Sequence, residues 1–368
     1  MKYYLIAGEA SGDLHGSNLI KELRKLDAQC GIRCWGGDLM QQAGGELVKH
    51  YKELAFMGFV EVVMNLNTIL KNLRFCKQDI LAFKPDALVL IDYPGFNLRI
   101  AEWAKQNGFR VIFYISPQVW AWKEGRVKLI KKCVDKMLVI LPFEKEFYRK
   151  WDYDVTYVGH PLVEAIDNWR DTGNKKNISA KPVIALLPGS RKQEILKKLP
   201  IMLEVSRLFP AYDFVVAKAP GQEDTFYEVL LQQYENVFSV RNETYRLLSQ
   251  AAAALVTSGT ATLETALFGV PEVVCYKGSP VSYWIARRLV KIKWISLVNL
   301  IMDKEVVKEL IQDDLTVGNL ERELRKLLHH SERQQQLHKD YTALRDLLGQ
   351  EGNASANAAR SIVDFMAG

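Results

Sequence analysis

The chain has only five cysteines in 368 residues, Cys30, Cys34, Cys76, Cys133 and Cys275. The number is odd, no two stand at Cys-x-x-Cys spacing, and no histidine pair accompanies Cys30 and Cys34, so neither a disulfide framework nor a zinc site is expected. Reduced, buried thiols are the simpler reading. Long apolar runs are missing too. No window of about 18 uncharged apolar residues occurs, which excludes a membrane-spanning helix. The opening Met1-Lys-Tyr-Tyr-Leu-Ile-Ala7 is broken by Gly8 and Glu9 before it could form a signal-peptide core. On these absences the chain is expected to be made and kept in the cytoplasm. No low-complexity tract and no compact basic-aromatic module is found. The net charge of +6 is spread along the chain, which favours an anionic ligand or membrane surface over nucleic acid.

What is present is apolar enough to fold. At 48% hydrophobic residues the chain is globular, and a prior of roughly 150 residues per domain makes 368 residues two domains. Short β-branched runs recur with helical patterns between them, among them Tyr3–Ala7, Ala87–Ile91, Arg110–Ile115, Val183–Leu187 and Ala253–Thr257. Runs that do not alternate, each followed by a helix, predict parallel sheets covered on both faces, an α/β fold. The polar, turn-rich stretch from Asn168 to Pro182 reads as a linker. The expected division is 1–168 for a first domain, 169–345 for a second, and 346–368 for a last helix returning to the first.

Two loops of the second half bear on chemistry. Leu187-Pro-Gly-Ser-Arg191 and Thr257-Ser-Gly-Thr-Ala-Thr-Leu-Glu264 each follow a strand and open a helix, whose N-terminal N–H groups and partial positive charge suit phosphate. Neither is a Walker loop or a Gly-x-Gly-x-x-Gly loop, which points to a nucleotide-sugar rather than ATP or NAD. Gly189, Ser190, Ser258, Gly259, Thr260 and Ala261 would bring backbone to a diphosphate, with Arg191 supplying a two-pronged guanidinium. Glu264 stands about one turn into its helix, where a carboxylate could reach ribose hydroxyls.

In the first half, Gly8-Glu-Ala-Ser-Gly-Asp-Leu-His-Gly16 ends the first strand with two acids and an imidazole, Glu9, Asp13 and His15. Ser11 or Asp13 could equally cap the following helix. Asp92 closes the run Leu88–Ile91 before a Pro-Gly turn, the place for a general base, or for a simple turn former. An acid on one domain and a diphosphate clamp on the other imply chemistry in a cleft between them. Ser116-Pro-Gln-Val-Trp-Ala-Trp122 with Lys123 and Arg126 suits an anionic sugar, although packing explains Trp120 and Trp122 as readily. His160 is as well explained by a structural cap as by catalysis. Between Leu54 and Cys76 a wide stripe of Phe56, Phe59, Val60, Val63, Met64, Leu66 and Leu70 lies opposite polar residues. A core helix would look similar, but the cation-rich aromatic segment Tyr283–Trp294 favours a lipid surface.

Six motifs then occur in order: Gly8-Glu-Ala-Ser-Gly-Asp13, Phe56-Met-Gly-Phe-Val-Glu61, Ser116–Trp122, Leu141-Pro-Phe-Glu144, Leu187–Arg191 and Ser258–Glu264. Together they resemble the lipid-A-disaccharide synthases over nearly the whole chain. The resemblance implies two Rossmann-like, doubly wound domains facing across a cleft, the glycosyltransferase B type, with no metal and no cofactor. It implies transfer, with inversion, from UDP-2,3-diacylglucosamine to the 6-hydroxyl of 2,3-diacylglucosamine 1-phosphate at the inner-membrane surface. Asp92 would act on the acceptor hydroxyl, with Glu9, Asp13 and His15 as rivals. UDP would lie on Gly189, Ser190, Arg191, Ser258 to Ala261 and Glu264, and the acceptor on Ser11, Asn97, Ser116, Trp120, Trp122, Lys123 and Arg126. The family's loop after the central acid often carries a second acid where this chain has Gly95. A homodimer stays open. A UDP-sugar 2-epimerase and a nucleotide-sugar-binding regulator without turnover are the competing readings.

Overall fold

The computed structural model describes residues 1–54, 66–122, 124–171, 176–279, 283 and 292–368. It divides into two compact units, Met1–Pro161 with Gly349–Gly368, and Leu162–Leu348. The first is built on seven parallel strands, β1 (Lys2–Ala7), β2 (Gly31–Gly36), β3 (Glu46–His50), β4 (Ala87–Ile91), β5 (Arg110–Tyr114), β6 (Lys136–Val139) and β7 (Thr156–Tyr157), in the order β3-β2-β1-β4-β5-β6-β7. The second has six, β8 (Val183–Leu187), β9 (Asp213–Lys218), β10 (Val237–Arg241), β11 (Ala251–Thr257), β12 (Glu272–Tyr276) and β13 (Lys308–Ile311), ordered β10-β9-β8-β11-β12-β13.

The unalternating strands follow from helices on both faces. In β4, Leu88 and Leu90 join one core layer with Ile100 and Phe113, while Val89 and Ile91 join the other with Leu19 and Leu23. Burying both sides leaves no position for a polar residue. The second layer is completed from the far end of the chain. The helix Ala354–Ala367 puts Ala358, Ala359 and Ile362 into it, against Leu19, Ile20 and Leu23 of the helix Ala10–Leu26. Asn357 Nδ2 also donates to the Val158 carbonyl at 3.2 Å.

The boundary falls earlier than residue 168. Asn168–Asp171 complete the helix Pro161–Asp171 instead of opening a linker, because Trp169 meets Phe268 edge-on at 5.5 Å and Arg170 donates to the Leu267 carbonyl at 3.1 Å. All five cysteines are buried and unpaired. Among the described residues no helix is long and apolar enough to cross a membrane.

Candidate functional site

In each sheet the strand order reverses once, between β1 and β4 in the first unit and between β8 and β11 in the second. Loops leaving the carboxyl ends of two such strands turn away from each other, and the crevice so opened is where open α/β sheets hold ligands. Both motif pairs lie at these points. Ala7 is in register with Ile91, so Glu9 and Asp92 leave their strands side by side. Val256 is in register with Leu187, which sets the Gly189 and Gly259 loops together.

The first switch point is shaped by backbone. Asp92 and Tyr93 both adopt left-handed φ, +46° and +47°, as does Ile115 at +65° on the neighbouring strand end. Consecutive left-handed non-glycine residues are costly, and such strain concentrates at functional sites. Gly8 is required there: a Cβ would lie 2.3 Å from the Tyr93 ring, so only glycine lets the β1 exit lie against the β4 exit. Asn97 fixes the arrangement, its Nδ2 donating to the carbonyls of Asp92 at 2.8 Å and of Ile6 and Ile91 at 3.3 Å. The half-buried Asp92 carboxyl is pushed up to about 7, first by loss of solvent and then by the negative charge of Glu9.

The other residues expected in this unit separate into two groups. Ser11 and Trp122 are exposed, and Arg126 lies over the Trp122 ring at 5.9 Å. Asp13 is buried, its Oδ1 accepting from the N–H of Gly37 and Met40 at 2.7 and 3.0 Å and its Oδ2 from Leu39 at 3.2 Å. It caps the helix Asp38–Gln42. His15 is 8% exposed and burial holds its imidazole neutral, down to about 4. His160 is buried too and is lowered to about 3, first by its enclosure and then by the neighbouring His15.

Three residues expected at the acceptor have partners within the unit. Asn97 is fully buried as the bracket just described. Ser116 Oγ lies 2.6 Å from the Tyr148 hydroxyl, and Trp120 Nε1 donates to Glu144 at 3.3 Å, all four side chains being buried. The Ser116–Trp122 and Leu141–Glu144 motifs are thus two halves of one internal knot. Glu144 also accepts from the Leu141 N–H at 2.9 Å, and its enclosure raises its carboxyl to about 7. Lys123, Phe56, Phe59, Val60, Val63 and Met64 lie outside the described residues, as does most of Tyr283–Trp294. So does the side chain of Leu66. Of the expected stripe only Leu70 has a described side chain, and it is exposed on the helix Leu66–Phe83, as is Phe75, while Leu73, Cys76 and Ile80 of that helix enter the core.

In the second unit Gly189 has φ +107°, letting the chain turn over the end of β8 into the helix Lys192–Ser206. Ser190 and Arg191 are exposed on that turn, with Arg191 Nη1 at 3.3 Å from Glu194 Oε1. Gly259 heads the helix Thr260–Leu267 at φ +143°, and Ser258 Oγ donates to the Ile295 carbonyl at 2.8 Å. Glu264 accepts from the Tyr245 hydroxyl at 3.2 Å, and burial raises it to about 7. Sequence reasoning passed over Tyr245, over Gln222, whose Nε2 donates to the Ser190 carbonyl at 3.2 Å, and over the buried Lys198. Only Lys198 carried a signal, standing four residues after Glu194 on one helix face.

Two parallel α/β units with phosphate-type loops at one switch point and an acid at the other define a glycosyltransferase B-type protein. Among solved structures, the UDP-GlcNAc 2-epimerase from Neisseria meningitidis bound to UDP-GlcNAc is similar with a TM-score of 0.70 at 14% identity, covering 99% of this chain and 100% of that one. CalG4, the calicheamicin glycosyltransferase, is similar at 0.62 and 16%, covering 100% and 98%. The sequence model of the lipid-A-disaccharide synthetase family matches residues 3–363. A lipid-A-disaccharide synthase of Syntrophus aciditrophicus is 39% identical over 97% of this chain and 96% of its own, and one of Coxiella burnetii is 37% identical over 97% and 96%. The chain belongs to the lipid-A-disaccharide synthase family, glycosyltransferases of lipid A biosynthesis.

Proposed function

We propose that this chain transfers 2,3-diacylglucosamine from its UDP derivative to the 6-hydroxyl of 2,3-diacylglucosamine 1-phosphate, with inversion, releasing UDP. The observation that carries this reading is Asp92, a half-buried acid on strained backbone at a switch point, with its carboxyl near neutrality. A base poised near the working pH is what abstraction of a hydroxyl proton needs. As Asp92 takes that proton, the acceptor oxygen bonds to the anomeric carbon and the bond from that carbon to the β-phosphate oxygen breaks. A single displacement from the opposite face inverts the centre. The departing charge falls on UDP, where Arg191 and the N–H groups opening the helices Lys192–Ser206 and Thr260–Leu267 would stabilise it. Glu264 would hold the ribose.

The acyl chains need a surface, and the exposed Leu70 and Phe75, with exposed Lys71 and Arg74 on the same helix, favour peripheral contact with the inner membrane. Released UDP measured with donor and acceptor decides the main reading. Turnover should require the acceptor and fall at least about a hundredfold in Asp92→Asn, about 3 kcal/mol of barrier. UDP-sugar turnover that ignores the acceptor would instead identify an epimerase.

A further inference from the structure

Reading the Gly189 turn as a diphosphate site leaves one buried charge without a task. Lys198 is 2% exposed on the inward face of the helix Lys192–Ser206, and lysines are seldom enclosed unless paired. Its Nζ stands 3.9 Å from Glu194 Oε2, too far for a hydrogen bond. The other oxygen of that carboxylate, Oε1, lies 3.3 Å from Arg191 Nη1. Cation, anion and cation therefore follow one another on a single face of the helix, directly under the turn. A Cβ at Gly189 would lie 3.1 Å from Glu194 Oε2 and 3.6 Å from Lys198 Nζ.

Resting on the reading that Arg191 grips the diphosphate, we propose that Glu194 is exchanged between the two cations, holding Arg191 in the empty site and passing to Lys198 when Arg191 turns to the phosphates. An incoming anion repels a carboxylate left without a partner. A second cation within reach removes that penalty, because a shift of about 1 Å brings the Lys198 pair to charge-assisted hydrogen-bond length. The flexible four-carbon stem of lysine permits the shift. Burial pulls the Lys198 ammonium towards its neutral form while Glu194 opposes this, so the pair strengthens as Glu194 turns inward. Lys198 is then a positioning residue that sets donor affinity without touching the donor.

UDP titration calorimetry tests this. Failure of the wild-type chain to bind UDP would overturn the diphosphate reading itself. Where the wild type binds, Lys198→Met should weaken UDP about tenfold, raising donor KM with kcat within about twofold. The double variant Glu194→Gln with Lys198→Met should return affinity to within about twofold of wild type, since Arg191 then has no carboxylate to leave. Unchanged affinity in Lys198→Met, or a double variant as weak as the single one, overturns the exchange. Should Lys198→Met not fold, Lys198→Gln takes its place, about a tenfold loss that Glu194→Gln reverses supporting the proposal and an unchanged or unreversed affinity ending it.

Discussion

At the scale of single residues, the acid pair at the first switch point controls the proposed pH response. Asp92 acts as a base only when ionised, and its carboxyl is held at about 7 by enclosure and by Glu9. Rate should therefore rise with pH through about 7 on the acid limb of kcat/KM. Removing the Glu9 charge relieves repulsion of the Asp92 carboxylate, so Glu9→Gln should move that limb to lower pH. A pH profile of the two proteins side by side checks it, and an unmoved limb would detach Glu9 from the base. The Asp13 oxygens are turned instead to three backbone N–H groups.

At the scale of elements, the knot joining the start of β5's exit loop to the helix Glu144–Arg149 is an internal tie. Tyr148→Phe removes one of the two partners of the buried Ser116 hydroxyl, which keeps the Pro117 carbonyl, and urea unfolding should show a loss of about 1 kcal/mol. The helix Leu66–Phe83 carries a different expectation. Leu70→Ser should reduce sedimentation with anionic vesicles and leave thermal unfolding unchanged, because Leu70 is exposed whereas Leu73 is buried.

These elements also show how far sequence reading reaches. A strand running into glycine and a helix start announces itself locally, so the loops at Gly8, Asp92, Gly189 and Gly259 were legible from apolar runs and turn residues alone. Which side chains of such a loop face outward was not. Asn97 is drawn inside by the Ile6 carbonyl, and Trp120 by Glu144, partners 91 and 24 residues distant in the chain. Trp122, two residues from Trp120, stays exposed, with Arg126 over its ring. The boundary near residue 168 was hidden for the same reason, since only the packing of Trp169 on Phe268 shows that the polar Asn168–Asp171 belongs to a helix.

At the scale of the whole molecule, the buried acid Glu272 at the start of β12 sets a pH cost on stability. It is fully enclosed and neither oxygen has a hydrogen-bond partner among the described residues, so burial raises its carboxyl well above the usual range. The native chain keeps that proton while the unfolded chain releases it above about pH 4.5. Stability should therefore fall as pH rises from there, by about 1.4 kcal/mol per unit, until the native carboxyl also ionises. Glu272→Gln should flatten this slope in calorimetry between pH 5 and about 7. The seating of Ala358, Ala359 and Ile362 in the first unit's core has a temporal consequence. During synthesis, the segment 162–348 can close its own core before residues 354–367 emerge, whereas the sheet begun at Lys2 must wait for them before its apolar layer closes. A chain released before that helix is made would carry a finished second unit and a first unit with one apolar layer uncovered, a product fit for proteolysis.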